Sequence, residues 1–299
     1  MKTIGPPSIV VGVEESTAGE AALDWAVREA TRRHLPLHLL RARHSEMLLG
    51  AEGGYGAVAV DLMAEGAEAA RHLLLASAER ARASSPSLTI TVEISSEPPA
   101  AALVGHSVRA DTVVLGSHGA APLVNALLGS VSTQVAAHAG CPVVVVRERP
   151  HADQKPHGVV VGVDGSPAAQ LALGYAFEAA SFRGCRLDVV HVWWTRLAKG
   201  LTEGLLQDQL TQQELALSES MVGWSEKYPD VAVHRHLRIG TPVPILVAQA
   251  RDAELLVVGS RGLGGFRRLL LGSVSHGVLQ HATCPVAVVR PSSLEPVEG

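Results

Sequence analysis

This chain has few cysteines, no excess of positive charge and no long apolar run, and each shortage removes a class of protein. Three cysteines in 299 residues cannot staple a secreted disulfide scaffold, and Cys141, Cys185 and Cys284, each opening a predicted strand, read as buried reduced thiols. Lys and Arg number 25 against 29 Asp and Glu, a net charge of −4, which lacks the electrostatic footprint of a nucleic-acid or acidic-membrane binder. No apolar run approaches the roughly 20 residues of a membrane span. Met1 to Pro7 lacks the apolar core of a signal peptide. A cytoplasmic protein with neither a nucleic-acid nor a membrane partner is therefore predicted. Also missing are Gly-x-x-x-x-Gly-Lys-Ser/Thr, Gly-x-Gly-x-x-Gly and His-Glu-x-x-His, so P-loop ATPase, dinucleotide dehydrogenase and zinc protease readings fall away.

What the chain does contain is one glycine signature written twice. Gly116-Ser117-His118-Gly119, nine residues and Gly129-Ser130-Val131-Ser132 recur as Gly259-Ser260-Arg261-Gly262, nine residues and Gly272-Ser273-Val274-Ser275. Each copy follows an apolar run, Thr112 to Leu115 or Leu255 to Val258, and precedes a helix-like stretch. Each loop thus hangs between a buried strand and a helix N-terminus, where a parallel α/β sheet binds phosphate. The repeat covers the chain: Gly116/Gly259, Gly129/Gly272 and Cys141/Cys284 lie 143 apart, while Gly12/Gly162 and Leu37/Leu187 lie 150 apart. The halves therefore differ by a net seven residues between about positions 44 and 90. Self-similarity at this period means two whole domains, not a solenoid.

The sequence divides into domains 1–148 and 156–299, joined by a charged stretch, Arg147 to His157, that carries Pro150 and Pro156. In the first half, strands are predicted at Ile9–Val13, Leu37–Ala42, Leu88–Ile94, Thr112–Gly116 and Val143–Val146. Helices are predicted at Gly19–Arg33, Val58–Ala83, Pro99–Val108 and Val131–His138. The second half repeats the pattern, with strands near 159–163, 186–192, 231–237, 255–259 and 286–289. Apolar strands alternating with helices give an α/β fold, two tandem domains, each a five-stranded parallel sheet with helices on both faces.

These residues resemble a known family. A strand ending Val-Gly-Val-Asp-Gly-Ser (Val161 to Ser166), the doubled glycine signature and a Cys-Pro-Val strand are similar to the universal stress protein family, in its ATP-binding subgroup and its tandem two-domain form. The resemblance spans nearly the whole chain. It implies an adenine-nucleotide α-hydrolase-like domain that binds ATP, together with Mg²⁺, without robust turnover, in stress or dormancy physiology. It also implies that Asp164 contacts the nucleoside, that Val192 and its counterpart Ala42 line the adenine pocket, and that Gly12 and Gly162 on the first strands join the binding set. The two halves would pair about a pseudo-two-fold axis through Val143–Val146 and Val286–Val289, with a homodimer as a further assembly. The protein partner is not legible.

The motif positions have a physical reading of their own. Gly116, Gly119 and Gly129, with Gly259, Gly262 and Gly272, let backbone N–H groups approach phosphate oxygens without a Cβ in the way. Ser130, Ser132, Ser273 and Ser275 can cap the following helix or offer hydroxyls to phosphate, and Val131 and Val274 sit in its first turn, where the dipole favours an anion. The halves are not equivalent. Glu14 stands where the family has Asp, displacing the carboxylate by roughly an ångström. Arg261, Arg267 and Arg268 lie within the second signature, whereas Gly116 to Gly129 holds only His118 and no Lys or Arg. Arginine suits phosphate, so the second site is expected to bind more tightly. His234-x-His236 offers two imidazoles but no third ligand at a suitable spacing, and Trp193-Trp194 reads as packing. A nucleotide-binding regulator is the expected function; a slow ATPase or phosphotransferase, with His118 as the arguable base, is the alternative.

Overall fold

The computed structural model describes residues 7–42, 56–118, 128–148, 157–193, 203–263 and 270–291. The chain divides into two compact units, Met1–Glu148 and Arg149–Gly299. The first unit runs β1 (Ile9–Gly12), α1 (Thr17–Arg33), β2 (Leu37–Ala42), α2 (Gly56–Ser84), β3 (Ile90–Ser95), α3 (Pro99–Ser107), β4 (Thr112–Gly116), α4 (Ser130–His138) and β5 (Val143–Val146). Its strands are all parallel, in the order β3-β2-β1-β4-β5. The second unit runs β6 (Val159–Val163), α5 (Pro167–Arg183), β7 (Leu187–Trp193), α6 (Glu203–Ser220), α7 (Trp224–Lys227), β8 (Val233–Ile239), α8 (Pro242–Gln249), β9 (Leu255–Gly259), α9 (Ser273–His281) and β10 (Val286–Val289). Its parallel order is β10-β9-β6-β7-β8.

Local chemistry sets the element ends. Ser16 caps α1 by accepting the Gly19 N–H at 2.9 Å, and Ser166 caps α5 by accepting from Ala169 at 3.2 Å. The helix therefore starts at Thr17, two residues before the sequence pattern suggests. Both helices stop on a left-handed residue, His34 (φ 53°) and Gly184 (φ 58°), whose N–H returns to the last turn. Central strands are buried on both faces as the apolar runs predict. Val113, Val114, Val143, Val144, Val161 and Val257 are all fully covered. The edge strands depart from that expectation: β3 leaves Val92 44% and Ile94 39% exposed, and β8 is largely exposed. An edge strand has one neighbour rather than two, so its cover thins.

The second unit breaks the stretch between β7 and β8 into two helices. Gly223 takes φ 84°, a conformation in which a Cβ would be strained, and the chain turns. Trp224 then lays its indole on Gly174 of α5, beside Phe177 (centroids 6.2 Å apart) and Tyr228 (6.4 Å). Both units also repeat one ion pair that ties the first helix to the strand beside it. Arg33 binds Asp111 through both oxygens at 2.6 and 3.0 Å, and Arg183, 1% exposed, lies 3.5 Å from Glu254. Cys141 and Cys284 are buried reduced thiols, and burial pushes the Cys141 thiol up to about 12.

The topology fixes where a ligand can enter. From β1 the chain steps outward to β2 and β3, then returns to β4 on the other side of β1. The connections after β1 and β4 diverge, leaving a crevice at the strands' C-terminal ends. The second unit has the same switch between β6 and β9.

Candidate functional site

In the first unit that crevice is a cleft of about 330 Å³. Its walls are Gly12, Val13 and Glu14 from the end of β1, Leu40, Arg41 and Ala42 from β2, and Pro99 and Leu103 from α3. Leu115, Gly116 and His118 from the end of β4, with Gly129, Ser130, Val131 and Ser132 at the start of α4, complete it. Nine residues picked out by the sequence, Gly12, Glu14, Ala42, Gly116, His118, Gly129, Ser130, Val131 and Ser132, meet there although over a hundred positions separate the first from the last. Gly119 lies outside the described residues. A depression of about 360 Å³ between α1 and α2 shares Val13 and Glu14 with the cleft. It has no glycine loop, and its Arg80 is engaged by Glu20 and Asp24.

The glycines divide by job. A Cβ on Gly116 would stand 2.9 Å from the Ala18 carbonyl carbon and 3.0 Å from the Gly19 nitrogen, so this glycine lets α1 lie against β4. A Cβ on Gly129, which lines the cleft, would meet nothing closer than 3.4 Å, in ordinary contact with the Ser117 and His118 backbone. The Gly129 N–H donates to the Ser117 carbonyl at 2.8 Å, closing the loop on itself. Gly129 is the N-cap of α4 and supplies no side-chain cap. The first-turn N–H groups of α4 are thus not satisfied by a capping side chain, and they carry the positive end of the helix dipole.

Two of the four serines, Ser132 and Ser275, hydrogen-bond backbone carbonyls rather than cap their helices. Ser132 is buried and donates its hydroxyl to the Gly116 carbonyl at 2.7 Å; Ser275 donates to the carbonyls of Ser260 (3.0 Å) and Gly272 (2.9 Å). They brace the loop to the helix: Ser132 ties α4 to the last residue of β4, and Ser275 ties α9 to the residue after β9, whose carbonyl also accepts the Gly272 N–H. Ser130 and Ser273, one residue into the helix, are exposed.

Arg41 is the residue that sequence reasoning missed. The glycine-to-glycine interval of the first half lacks a cation, yet Arg41, from the strand two elements away, reaches the cleft and donates to the Val13 carbonyl at 3.0 Å. Its counterpart His191 makes the equivalent contact to the Val163 carbonyl at 2.8 Å. The 150-residue offset could have flagged the pair, but nothing local marks either side chain as inward. Glu14 accepts from the Ser16 hydroxyl at 3.0 Å. Burial raises its carboxyl above the usual range, against the opposing pull of Ser16, Arg41 and His118. His118 Nδ1 lies 2.8 Å from the hydroxyl of Ser117, which is itself fully buried.

The second unit assembles the same parts differently. Asp164, at the end of β6, accepts the Ser166 N–H on Oδ1 and the Leu263 N–H on Oδ2, both at 3.0 Å. It therefore ties the end of the strand to the second glycine loop, and a Cβ on Gly262 would overlap its Oδ2. The Ser166 hydroxyl adds a bond to the Arg261 carbonyl at 3.2 Å. Gly259 sits against α5, with a Cβ 2.8 Å from the Ala168 carbonyl carbon, and Gly272 caps α9 with its N–H on the Ser260 carbonyl at 2.8 Å. Gly162 packs under Leu246 as Gly12 packs under Leu103. Val192 lies on the C-terminal half of β7, and Val274 in the first turn of α9. Arg261 is exposed and close enough to Arg290 that, after burial, its like charge lowers the Arg290 guanidinium. Arg267 and Arg268 lie outside the described residues. His234 and His236 do find a third group, the buried Asp188: His236 Nε2 is 2.7 Å and His234 Nδ1 3.8 Å from its Oδ1, while Arg186 occupies Oδ2. That carboxylate is consumed by an ion-pair network at the N-terminal half of the strands, away from the glycine loop.

The fold and site together define a class: an α/β domain, doubled in tandem, with a glycine-rich crevice at the switch point of each parallel sheet. The universal stress protein family matches residues 7–147 and 157–290. A universal stress protein of Mycolicibacterium smegmatis is 38% identical over 286 residues, covering 95% of this chain and 97% of that protein. One of Mycobacterium tuberculosis is 37% identical over 288 residues, covering 95% and 97%. The crystal structure of a universal stress protein from Archaeoglobus fulgidus superposes with a TM-score of 0.67 at 23% identity, covering 95% of this chain and 98% of that one. This chain belongs to the universal stress protein family.

Among the described residues no helix is long and apolar enough to cross a membrane.

Proposed function

We propose that this chain binds an adenine nucleotide, ATP with Mg²⁺, at the cleft of the first unit and at the equivalent strand ends of the second, and acts as a regulator that holds nucleotide without robust turnover. The observation that carries the reading is the N-terminus of α4, without a side-chain cap, at the glycine-lined end of a cleft whose walls combine apolar side chains with Glu14, Arg41 and His118. Backbone N–H groups of Ser130, Val131 and Ser132 and the dipole of α4 suit phosphate oxygens. Leu40, Ala42, Pro99 and Leu103 offer an apolar slot for a flat base. Glu14, and Asp164 with its spare lone pairs, can accept hydroxyl protons of a ribose. Mg²⁺ keeps most of its waters and needs few protein ligands when it travels on phosphates. Turnover finds less support: the Ser117 hydroxyl beside His118 is buried, and Glu14 is engaged by Ser16.

The test is to denature purified protein and identify the released small molecule by mass spectrometry. Titration of stripped protein with ATP, AMP and cAMP by calorimetry follows. An adenylate at stoichiometric occupancy with negligible hydrolysis is the expected result. Absence of both a released adenylate and saturable binding refutes the reading, and sustained multiple turnover replaces it with the enzyme alternative.

A further inference from the structure

Away from the glycine loops, the first unit carries a cluster that the nucleotide reading leaves unused. His38 on β2, Glu93 on β3 and His106 in the last turn of α3 each offer one ligand atom, and these atoms all lie within 4.8 Å of one another. Glu93 spans the two imidazoles: its Oε2 is 3.4 Å from His38 Nε2 and its Oε1 is 3.2 Å from His106 Nε2. The rings are stacked, with centroids 5.0 Å apart. His38 is 15% exposed, and its Nε2 is a buried atom with no hydrogen-bond partner among the described residues. Its other nitrogen, Nδ1, lies 2.8 Å from the Thr91 hydroxyl oxygen.

A buried imidazole nitrogen facing a carboxylate without a hydrogen bond is an unusual expense. It is resolved if Nδ1 keeps its proton and donates it in a hydrogen bond to the Thr91 hydroxyl oxygen, leaving the Nε2 lone pair directed at a cation that Glu93 also binds. Metal-bound histidines are oriented this way, with the non-ligating N–H held by an oxygen acceptor. A tetrahedral zinc site with bonds of about 2.0 Å places adjacent ligand atoms roughly 3.3 Å apart; Glu93 approaches His38 Nε2 at 3.4 Å through Oε2 and His106 Nε2 at 3.2 Å through Oε1, so a turn of its carboxylate, with ligand atoms that already lie within 4.8 Å, completes the set. The remaining edge, between the imidazoles, can tighten because His106 and Glu93 are 32% and 44% exposed.

We propose that His38, Glu93 and His106 form a binding site for a divalent transition-metal ion, of which zinc is the best match, with a fourth position open to water or a further ligand. Two imidazoles and one carboxylate select zinc or a similar borderline cation over Mg²⁺ or Ca²⁺, which prefer all-oxygen sets. The second unit does not repeat the site. The positions of His38, Glu93 and His106 hold Asp188, His236 and Gln249 there, and Arg186 already neutralises Asp188 at 3.0 Å. The site does not depend on nucleotide binding, although α3 contributes Pro99 and Leu103 to the cleft at one end and His106 to the cluster at the other.

The test titrates the full chain, stripped with a chelator, with Zn²⁺ by calorimetry and with Mg²⁺ as control. Wild-type protein, Glu93→Gln, His106→Gln and Asp188→Asn are compared after circular dichroism shows each to be folded. Expected is one saturable zinc in wild type and in Asp188→Asn, with affinity at least tenfold weaker in both Glu93→Gln and His106→Gln. X-ray absorption of the zinc-loaded wild type should show two imidazoles. No saturable zinc in wild type, unchanged affinity in either first-unit variant, or loss in Asp188→Asn instead would overturn the assignment.

Discussion

Alanine at Gly116 and alanine at Gly129 are expected to fail in opposite ways, although the two glycines belong to one motif. At Gly116 the added Cβ would stand 2.9 to 3.0 Å from the backbone of Ala18 and Gly19, and at Gly259 2.8 to 3.0 Å from that of Ala168 and Ala169. Backbone in the first turn of a buried helix cannot rotate aside, so α1 or α5 must lift off its strand. Overpacking of this kind costs about 1–3 kcal/mol, which for a domain of this size lowers Tm by about 2–12 °C. Gly129 and Gly272 have ordinary backbone angles (φ −62° and −74°), and a Cβ there meets nothing nearer than 3.3 Å. Alanine meets ordinary contacts at Gly129 and asks the Arg261 and Ser260 backbone to give by a few tenths of an ångström at Gly272; restriction of the unfolded chain offsets the poorer N-cap, so the net change stays within about 1 kcal/mol. The alanine also places a methyl group where phosphate is proposed to meet the loop backbone. Differential scanning calorimetry without nucleotide and calorimetric titration with ATP separate the outcomes. Gly116→Ala and Gly259→Ala should melt early, whereas Gly129→Ala and Gly272→Ala should stay close to the wild-type Tm and weaken ATP binding. The reasoning fails if Gly129→Ala destabilises as much as Gly116→Ala, or if the Gly129→Ala, Gly272→Ala double variant binds ATP like wild type.

Glu14→Gln is expected to stabilise the first unit at neutral pH. Burial raises the Glu14 carboxyl, so the folded state resists ionisation more than the unfolded chain does. Wild-type stability therefore falls as pH rises from about 4.5 through the raised folded value, and the glutamine variant lacks that fall; parallel denaturation curves for the two proteins across pH 4 to 7 would contradict it. His34→Gly should raise Tm by about 2–4 °C, because a left-handed residue with a side chain costs about 1 kcal/mol relative to glycine, and the second unit already places Gly184 there. A lowered Tm would mean that the His34 side chain earns its strain. Full-length Gly129→Ala and Gly272→Ala, each leaving one site intact, should show the Asp164 site binding ATP about tenfold more tightly, the worth of one charge-assisted hydrogen bond. Salt should narrow the gap. Equal affinities would show that Arg41 compensates for Glu14.

Sequence alone determined the two-unit plan, the type of most elements and the position of both glycine loops. These properties are local. A buried parallel strand must be an apolar run, a tight approach to a helix must be glycine, and a duplicated chain repeats both at a fixed offset. Four of the five first-unit strands begin where the apolar runs begin, while β3, a half-exposed edge, starts two residues later than its pattern suggests. The cap at Ser16 and the break at Gly223 were less legible, since a serine or glycine before a helix-like stretch has several uses until neighbouring segments choose one. Side-chain direction was decided only by the tertiary structure. Arg41 lies outside every motif, yet the register of β2 against β1 turns it to Val13 and the cleft. Ser132 and Ser275 occupy motif positions, yet their hydroxyls go to backbone carbonyls at the ends of β4 and β9. His38, Glu93 and His106 are scattered over 69 positions and meet because β2, β3 and α3 pack side by side. A hydrogen bond or metal ligand is chosen by distances of a few ångströms between segments far apart in the chain, and those distances exist only once the sheet has closed its register.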